Sequence, residues 1–240
     1  FVPRSIARVI KDNPDWFTRP TGDEVEESEI IAFEDYEDIE ERVVDIQVGA
    51  SQFTLTDDSE LNDFILLDSQ YSQGYIEPSL DSRSRNNSLE ILFRTLSPRR
   101  ITFWTRSFSP RFDLTLGQVD LKTDLNIDLG AGKGTVNLAN LNIGRIESKL
   151  GAGKLNLTLQ ENAIAEEIRV DLGAGQMVLN IPEEIGYELS YELGVGRISM
   201  NNESIADFIG QDESFKSPNF DEAVRTILIV AKVGVGSLEI

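Results

Sequence analysis

Leu125-Asn126-Ile127-Asp128-Leu129-Gly130-Ala131-Gly132-Lys133-Gly134-Thr135-Val136-Asn137-Leu138 carries the pattern from which the architecture follows. Apolar and polar residues alternate up to Leu129, the alternation breaks at Gly130-Ala131-Gly132, and it resumes beyond. Residues at i, i+2 and i+4 share one face of a strand, so the stretch reads as strand, tight turn, strand with a single apolar face. The pattern recurs. Leu150-Gly151-Ala152-Gly153, Leu172-Gly173-Ala174-Gly175 and Leu193-Gly194-Val195-Gly196 follow at spacings of 21, 22 and 21 residues. Val233-Gly234-Val235-Gly236 comes 40 residues later, close to two periods, and a degenerate copy, Val48-Gly49-Ala50-Ser51, lies upstream. Self-similarity at a fixed period of about 20 to 50 residues signals a repeat architecture.

Aligned on their glycines, the copies place Leu, Ile, Val, Tyr or Ala one, three and five residues before the first glycine, with Ser148 the one polar substitute. After the second glycine the inward column continues through Leu155, Leu157 and Leu159, then Met177, Leu179 and Ile181, with Ile198, Leu238 and Phe53 opening it in the other copies. A unit apolar on one face must stack on its neighbours to complete a core. The expected fold is therefore all-β: a β-solenoid-like stack of rungs with Gly-x-Gly turns. An antiparallel β-sandwich of hairpins is the alternative, because a glycine turn also closes a hairpin. The glycines supply positive φ at the turns, and the Ala or Val between them is small enough to face the core. The last rung, ending Leu238-Glu239-Ile240, would leave an uncovered strand edge through which copies of the chain could associate.

Outside the repeats the composition changes. Residues 1–20 are mildly basic, with Arg4, Arg8, Lys11 and Arg19, and are broken by Pro3, Pro14 and Pro20. The chain begins at Phe1, so an upstream leader or anchor is expected to have been removed, and this basic stretch would suit a tether beside a membrane. Residues 23–41 hold eleven acidic side chains and read as a solvated linker that could be deleted without harming the fold. The division is then an N-terminal flank over 1–42 and a repeat domain over 43–240. Two stretches interrupt the rhythm, 57–111 and the polar insertion 201–221. Helix signals are confined to a turn or two at Asn162–Ile168 and Ser204–Ile209.

Composition excludes several chemistries. The chain has no Cys and no His, which removes thiol catalysis, disulfides, His-based triads and the usual zinc sites. With 22 basic against 42 acidic residues the net charge is -20, which repels nucleic acid and anionic lipid surfaces. Gly132-Lys133 and Gly153-Lys154 lack the first glycine and the Ser or Thr of a phosphate-binding P-loop, and Thr135, Asn156 and Val178 stand where a dinucleotide fold needs its third glycine. The cluster Asp57-Asp58-Ser59-Glu60 matches no calcium loop and reads as a solvated turn. No cofactor and no metal site is expected.

Charged residues flank the glycines. Asp128, Asp171 and Glu192 stand two places before the first glycine; Lys133, Lys154, Gln176 and Arg197 follow the second. Stacked, they form an acidic and a partly basic column on either side of one corner. Such columns serve as a ladder of exposed ion pairs, each worth little. The sharper reading takes Lys133, Lys154 and Arg197 as an anion-binding ridge. The enzymatic alternative is a β-helical enzyme acting on polysaccharides with Asp, Glu and Lys.

The Gly-Ala-Gly pairs, with Trp104 and the strand-like Phe112-Asp113-Leu114-Thr115-Leu116-Gly117 before them, give the chain a family resemblance. It resembles the bacterial toast-rack and putative-adhesin domains, and is similar to the C-terminal domain of LiaF-type cell-wall-active antibiotic response proteins. The segment Asn137–Ile143 and the closing Ile227–Ile240 fit the same layout, so the resemblance covers about residues 43–240. It implies a β-solenoid-like domain attached to the bacterial envelope, without established catalytic residues. The function it implies is non-catalytic: recognition of a protein or cell-wall polymer, adhesion, or envelope-stress signalling. With the charge balance it leaves no nucleic-acid partner expected and membrane contact only through an upstream anchor; a self-associating structural element is the remaining alternative.

Overall fold

The computed structural model describes residues 9–10, 24–73, 76–96, 110–200, 203–207 and 211–240. In chain order these form β1 (Val9–Ile10), β2 (Glu24–Ile31), a 3-10 turn at Phe33–Asp35, β3 (Glu41–Asp57), β4 (Ile65–Ser72), β5 (Glu77–Arg85), β6 (Ser88–Leu96) and β7 (Arg111–Leu116). They continue with β8 (Lys122–Leu138), β9 (Ile143–Leu159), β10 (Glu167–Asn180), β11 (Gly186–Met200), β12 (Glu203–Asp207), β13 (Gln211–Lys216) and β14 (Thr226–Glu239). Trp104 and most of the basic N-terminal stretch lie outside the described residues.

Every glycine-bearing copy is one long strand bent at its glycines: β3, β8, β9, β10, β11 and β14. Neighbouring copies pair in parallel and in register, Leu129 opposite Leu150 and Lys133 opposite Lys154. Parallel pairing across both legs rules out the hairpin sandwich and establishes the solenoid-like stack. In β8 the buried positions are Thr123, Leu125, Ile127 and Leu129 before the bend and Gly134, Val136 and Leu138 after it. The inward phase thus slips by one residue at the vertex. In a straight strand such a slip would send the second leg's apolar side chains to the other face; at a bend it keeps both legs facing one core.

The core fills the inside of the bend. Ser148 Oγ on the first leg of β9 lies 3.7 Å from Met177 Sδ on the second leg of β10. Phe93 of β6, which extends the first-leg sheet beside β3, meets Phe112 of β7, which extends the second-leg sheet, at 5.3 Å between ring centroids.

The glycines are required chiefly by stacking. A Cβ on Gly153 would stand 2.4 Å from the carbonyl oxygen of Gly132, and one on Gly175 would stand 2.4 Å from that of Gly153. Among the glycines of the described residues, positive φ is confined to Gly132, Gly196 and Gly236, at 148°, 156° and 157°. The residue between the glycines faces solvent, contrary to the inward placement expected for it: Ala131, Ala152 and Ala174 are exposed, as are Val195 and Val235. It sits on the convex side of the bend, while Leu129 and its equivalents close the inside.

The strand order is β3-β8-β9-β10-β14-β11 through the stack. The last copy is therefore not the terminal rung: β14 runs parallel between β10 and β11 and is bonded on both sides. The uncovered terminal edge, and self-association through it, fall with that placement. The true end rung is β11, and the polar insertion covers it, with β13 pairing its first leg and β12 its second, both antiparallel. This is how repeat stacks blunt an edge. The helical turn expected at Ser204–Ile209 is strand through Asp207, and Ile168 lies in β10.

The acidic stretch is also different from its linker reading. Glu24–Ile31 is β2, antiparallel to β4 over its full length. Ile31 and Tyr36 are buried, the Tyr36 ring meets Phe64 at 5.7 Å, and Tyr36 Oη lies 2.6 Å from Ser82 Oγ. Glu27 faces inward, its Oε2 accepting a hydrogen bond from Tyr71 Oη at 2.9 Å. Among so many carboxylates, the period-two signal of Val25 and Ile31 was masked. A two-residue turn at Asn86-Asn87, both at positive φ, joins β5 to β6 as a tight hairpin.

Two predictions test this arrangement. Gly153→Ala drives a methyl into a backbone carbonyl and should cost about 1–3 kcal/mol, whereas Gly49→Ala, whose nearest neighbour is Thr95 Oγ1 at 3.6 Å, should stay within about 0.5 kcal/mol. Equal denaturant midpoints for the two variants would contradict the stacking. Deleting residues 24–36 should lower the melting temperature by removing β2 and uncovering β4; an unchanged thermal transition would show that β2 is not part of the sheet.

Candidate functional site

The bend gives the molecule two outer faces meeting at the glycine vertex. On the first-leg face, the row two places before the first glycine reads Gln47, Asp128, Lys149, Asp171, Lys232, Glu192 across consecutive strands. The expected acidic column is thus an alternating one, because Lys149 of β9 and Lys232 of β14 stand between the carboxylates. Lys232 Nζ lies 3.0 Å from Glu192 and Lys149 Nζ 2.9 Å from Glu147. Further back on the same face, Arg145 pairs with Asp124 at 3.4 Å and Arg169 with Glu167 at 2.9 Å. The hydrogen bond from Lys149 pulls the Glu147 carboxyl below its ordinary range, against a smaller opposing effect of burial. The Lys149 ammonium is pushed up by that same bond, and further by Asp128 and Asp171. This is the ladder of surface ion pairs, with each carboxylate matched by a neighbouring cation rather than gathered into an acid–base pair.

The second-leg face differs. The row just after the second glycine runs Gln52, Lys133, Lys154, Gln176, Ser237, Arg197. Beyond Gln52 it continues through Arg111 of β7 to Gln70 of β4 before reaching Glu26, and past Arg197 it ends at Asp207. From Gln70 to Arg197 the row holds no carboxylate. Lys133 and Lys154 are adjacent, while two neutral rungs separate Lys154 from Arg197 because β14 is inserted there. Flanking Lys133 and Lys154 along their own strands are Ala131, Ala152, Thr135 and Asn156, all uncharged. Among the described residues neither lysine takes part in the ion pairs that engage Lys149 and Lys232.

The cluster at Asp57–Glu60 serves the fold. Asp57 accepts backbone N–H bonds from Ala139 at 2.5 Å and Asn140 at 2.8 Å, fixing the return turn after β8, and Asp58 accepts one from Glu60 at 2.8 Å. Among the described residues no group of three His, Cys, Asp or Glu side chains is placed to hold a metal ion.

A buried cation escaped the sequence reading, whereas the inward packing of Tyr187 and Tyr191 was expected from it. Arg42 is 1% exposed and donates to the Phe64 and Gly117 carbonyls at 2.8 and 2.9 Å and to Thr123 Oγ1 at 3.1 Å. Burial lowers its pKa to about 10, so it remains a cation at neutral pH and ties two loops to the start of β3. Its signal was its phase, since Arg42 falls in step with Val44, Ile46 and Val48. Tyr187 and Tyr191 of β11 close the last rung of the core. Desolvation pushes the Tyr187 phenol up to about 12, and Tyr191 is raised by burial and by Glu213.

Comparisons with known proteins place this architecture. A family model for the N-terminal domain of toast_rack, DUF2154, matches residues 20–180. No curated protein sequence matches the chain. The crystal structure of a putative cell adhesion protein from Clostridium sporogenes is similar at a TM-score of 0.68 and 16% identity, over 90% of this chain and 98% of that one. A putative adhesin from Bacteroides fragilis matches at 0.34 and 14%, over 92% and 98%, and one from Parabacteroides merdae at 0.22 and 9%, over 91% and 97%. The Clostridium likeness shows the fold.

The raised Tyr187 pKa has a stability consequence. A phenol whose pKa is higher folded than unfolded contributes stability that is complete below pH 10 and lost as pH rises to about 12. Arg42 acts with the opposite sign over much of that window, so the comparison must be differential. Between pH 10 and 12 the stability of Tyr187→Phe should rise relative to the unsubstituted chain in denaturant titrations. A difference independent of pH would mean that Tyr187 titrates normally.

Proposed function

This chain belongs to the toast-rack family, and from that premise we propose that it is a non-catalytic domain of the bacterial cell envelope that binds an extended partner on its outer faces, as in adhesion or envelope-stress signalling. The observation that carries the reading is the register of the stack. Outward side chains stand in rows kept in register at the strand spacing of about 4.8 Å, on open faces held by one continuous core. Surfaces of this kind suit long partners more than small substrates, which need concave and enclosed sites. Carboxylates interleaved with lysines on the first-leg face favour this reading over a polysaccharide-cleaving enzyme. The fold likeness to the Clostridium protein named as a putative cell adhesion protein supports it further. Among the described residues no helix is long and apolar enough to cross a membrane.

Placement outside the cytoplasm is tested by labelling intact bacterial cells that express the natural gene product with a membrane-impermeant amine reagent. Modification of Lys133 and Lys154, read by mass spectrometry, is expected without lysis. Modification only after lysis would overturn the envelope-surface reading.

A further inference from the structure

We propose that an uncharged block on the second-leg face, beyond the row of Lys133 and Lys154, is a binding surface for a neutral, hydroxyl-rich polysaccharide laid across the rungs. This rests on the reading of the chain as a binder of extended partners and names the chemical class of one such partner. The block is two rows deep. Thr54, Thr135, Asn156 and Val178 stand side by side on β3, β8, β9 and β10. Two residues further on, Thr115, Thr56, Asn137, Thr158 and Asn180 continue across β7 and the same four strands. No position in either row carries a charge. On the outer face of the first leg, those four strands present Asp45, Asp128, Glu147, Lys149, Arg169 and Asp171. In a chain of net charge -20, the two sides of one bend thus differ in kind.

The hydrogen-bonding groups of the block define its occupant. Thr hydroxyls and Asn amides both donate and accept, as sugar hydroxyls do. Within the block Thr56 Oγ1 lies 3.4 Å from Thr115 Oγ1, and Asn180 Nδ2 donates to Thr158 Oγ1 at 3.1 Å. Among the described residues Thr54, Thr135 and Asn137 make no side-chain hydrogen bond, so their donors and acceptors stand open to a ligand. Asn156 Oδ1, between Thr135 and Val178, accepts no bond either. Charge and size narrow the choice. A charged polymer would gain no ion pair on the block and would lose hydration in reaching it. The nearest charges are of both signs: Lys133 and Lys154 toward the vertex, Asp113 beside Thr54 and Glu239 beside Val178. From β7 to β10 the block spans four strand steps, about 19 Å, and its rows stand about 7 Å apart along the strands. That is far less than the about 800 Å² that each partner commits to a stable protein complex. A second copy would also bring its own charge of -20 against this one. An open strip of this length instead takes several sugar rings of one chain, each rung offering the same pair of positions.

The test uses the full chain in affinity electrophoresis through three uncharged polymers, hydroxyethyl cellulose, glycol chitin and dextran, at low and high salt. The unsubstituted chain should be retarded by at least one of them, and equally at both salt concentrations, since no ion pair is involved. The block variant is Thr54→Val, Thr135→Val, Thr158→Val, which replaces hydroxyls by methyls and keeps the branched shape that suits a strand. It should lose at least about tenfold in affinity, and a control on the other face, Lys149→Gln, Arg169→Gln, Lys232→Gln, less than about twofold. Thr54→Ser, Thr135→Ser, Thr158→Ser restores the hydroxyls and should keep binding, which separates a lost surface from a damaged fold. No retardation by any of the three polymers, equal loss in block variant and control, or retardation that vanishes at high salt overturns the proposal. Equal retardation by a polyuronate would remove the preference for uncharged chains and likewise contradicts it. A dimer in sedimentation velocity that the block variant breaks, without polymer binding, would assign the face to a second copy instead. None of these outcomes bears on whether intact cells expose the domain.

Discussion

At the vertex of each rung, a glycine carbonyl occupies the space that a side chain on the next rung would need. Gly132 over Ser51, Gly153 over Gly132, Gly175 over Gly153, Gly236 over Gly175 and Gly196 over Gly236 form one continuous column of such contacts. A slip of one residue between any two rungs would put Ala or Val in one direction, or Lys, Gln, Ser or Arg in the other, into that column, against backbone that cannot yield. The column therefore fixes register, and register fixes everything that follows: which residues enter the core, which strands share a row, and which charges meet. Hydrophobic burial supplies the driving force for the stack and opposes a one-residue slip, but burial alone tolerates a two-residue slide between rungs of similar Leu and Ile content. The glycines remove that tolerance.

The chemistry of the outer faces is a consequence of the same register. Because rungs align residue for residue, each position relative to the glycines becomes a row, and a row takes its character from six different segments of sequence. One row alternates three carboxylates with two lysines, so most of its charge is offset within the row. The row on the far side of the vertex is free of carboxylates across eight strands. Neither property belongs to any single segment, and the insertion of β14 between β10 and β11 shapes both, placing Lys232 between Asp171 and Glu192 and Ser237 between Gln176 and Arg197.

Much of the fold was legible because its rules are local. Alternation around Gly130-Ala131-Gly132 and its copies identified the rungs and the residues they bury, and Ser148 took its inward place as aligned. What was hidden was non-local. The order of rungs in space departs from chain order, and no periodicity reveals that a strand 40 residues downstream returns to fill a slot. The acidic column failed for the same reason, since Lys149 and Lys232 interleave only when β9 and β14 take their places. The outward Ala131 follows from a phase slip that hydropathy does not resolve, Ala being acceptable on either side. In Glu24–Ile31, composition overrode pattern, because a strand in which every second residue on average is charged can still pair fully when its neighbour needs an edge covered. Of the candidate ridge, Lys133, Lys154 and Arg197 do share a row, while Arg111 joins them only through the pairing of β7 with β3.

The absence of native cysteine makes the vertex column directly measurable. Spin labels at Ala131→Cys with Val235→Cys, and at Ala131→Cys with Val195→Cys, report three and four strand steps, about 14 and 19 Å between backbones at the usual spacing. Pulsed dipolar spectroscopy should find the 131–235 distance shorter than the 131–195 distance, with both distributions narrow. The reverse order would place the last copy at the end of the stack, and broad distributions would deny the column its fixed register.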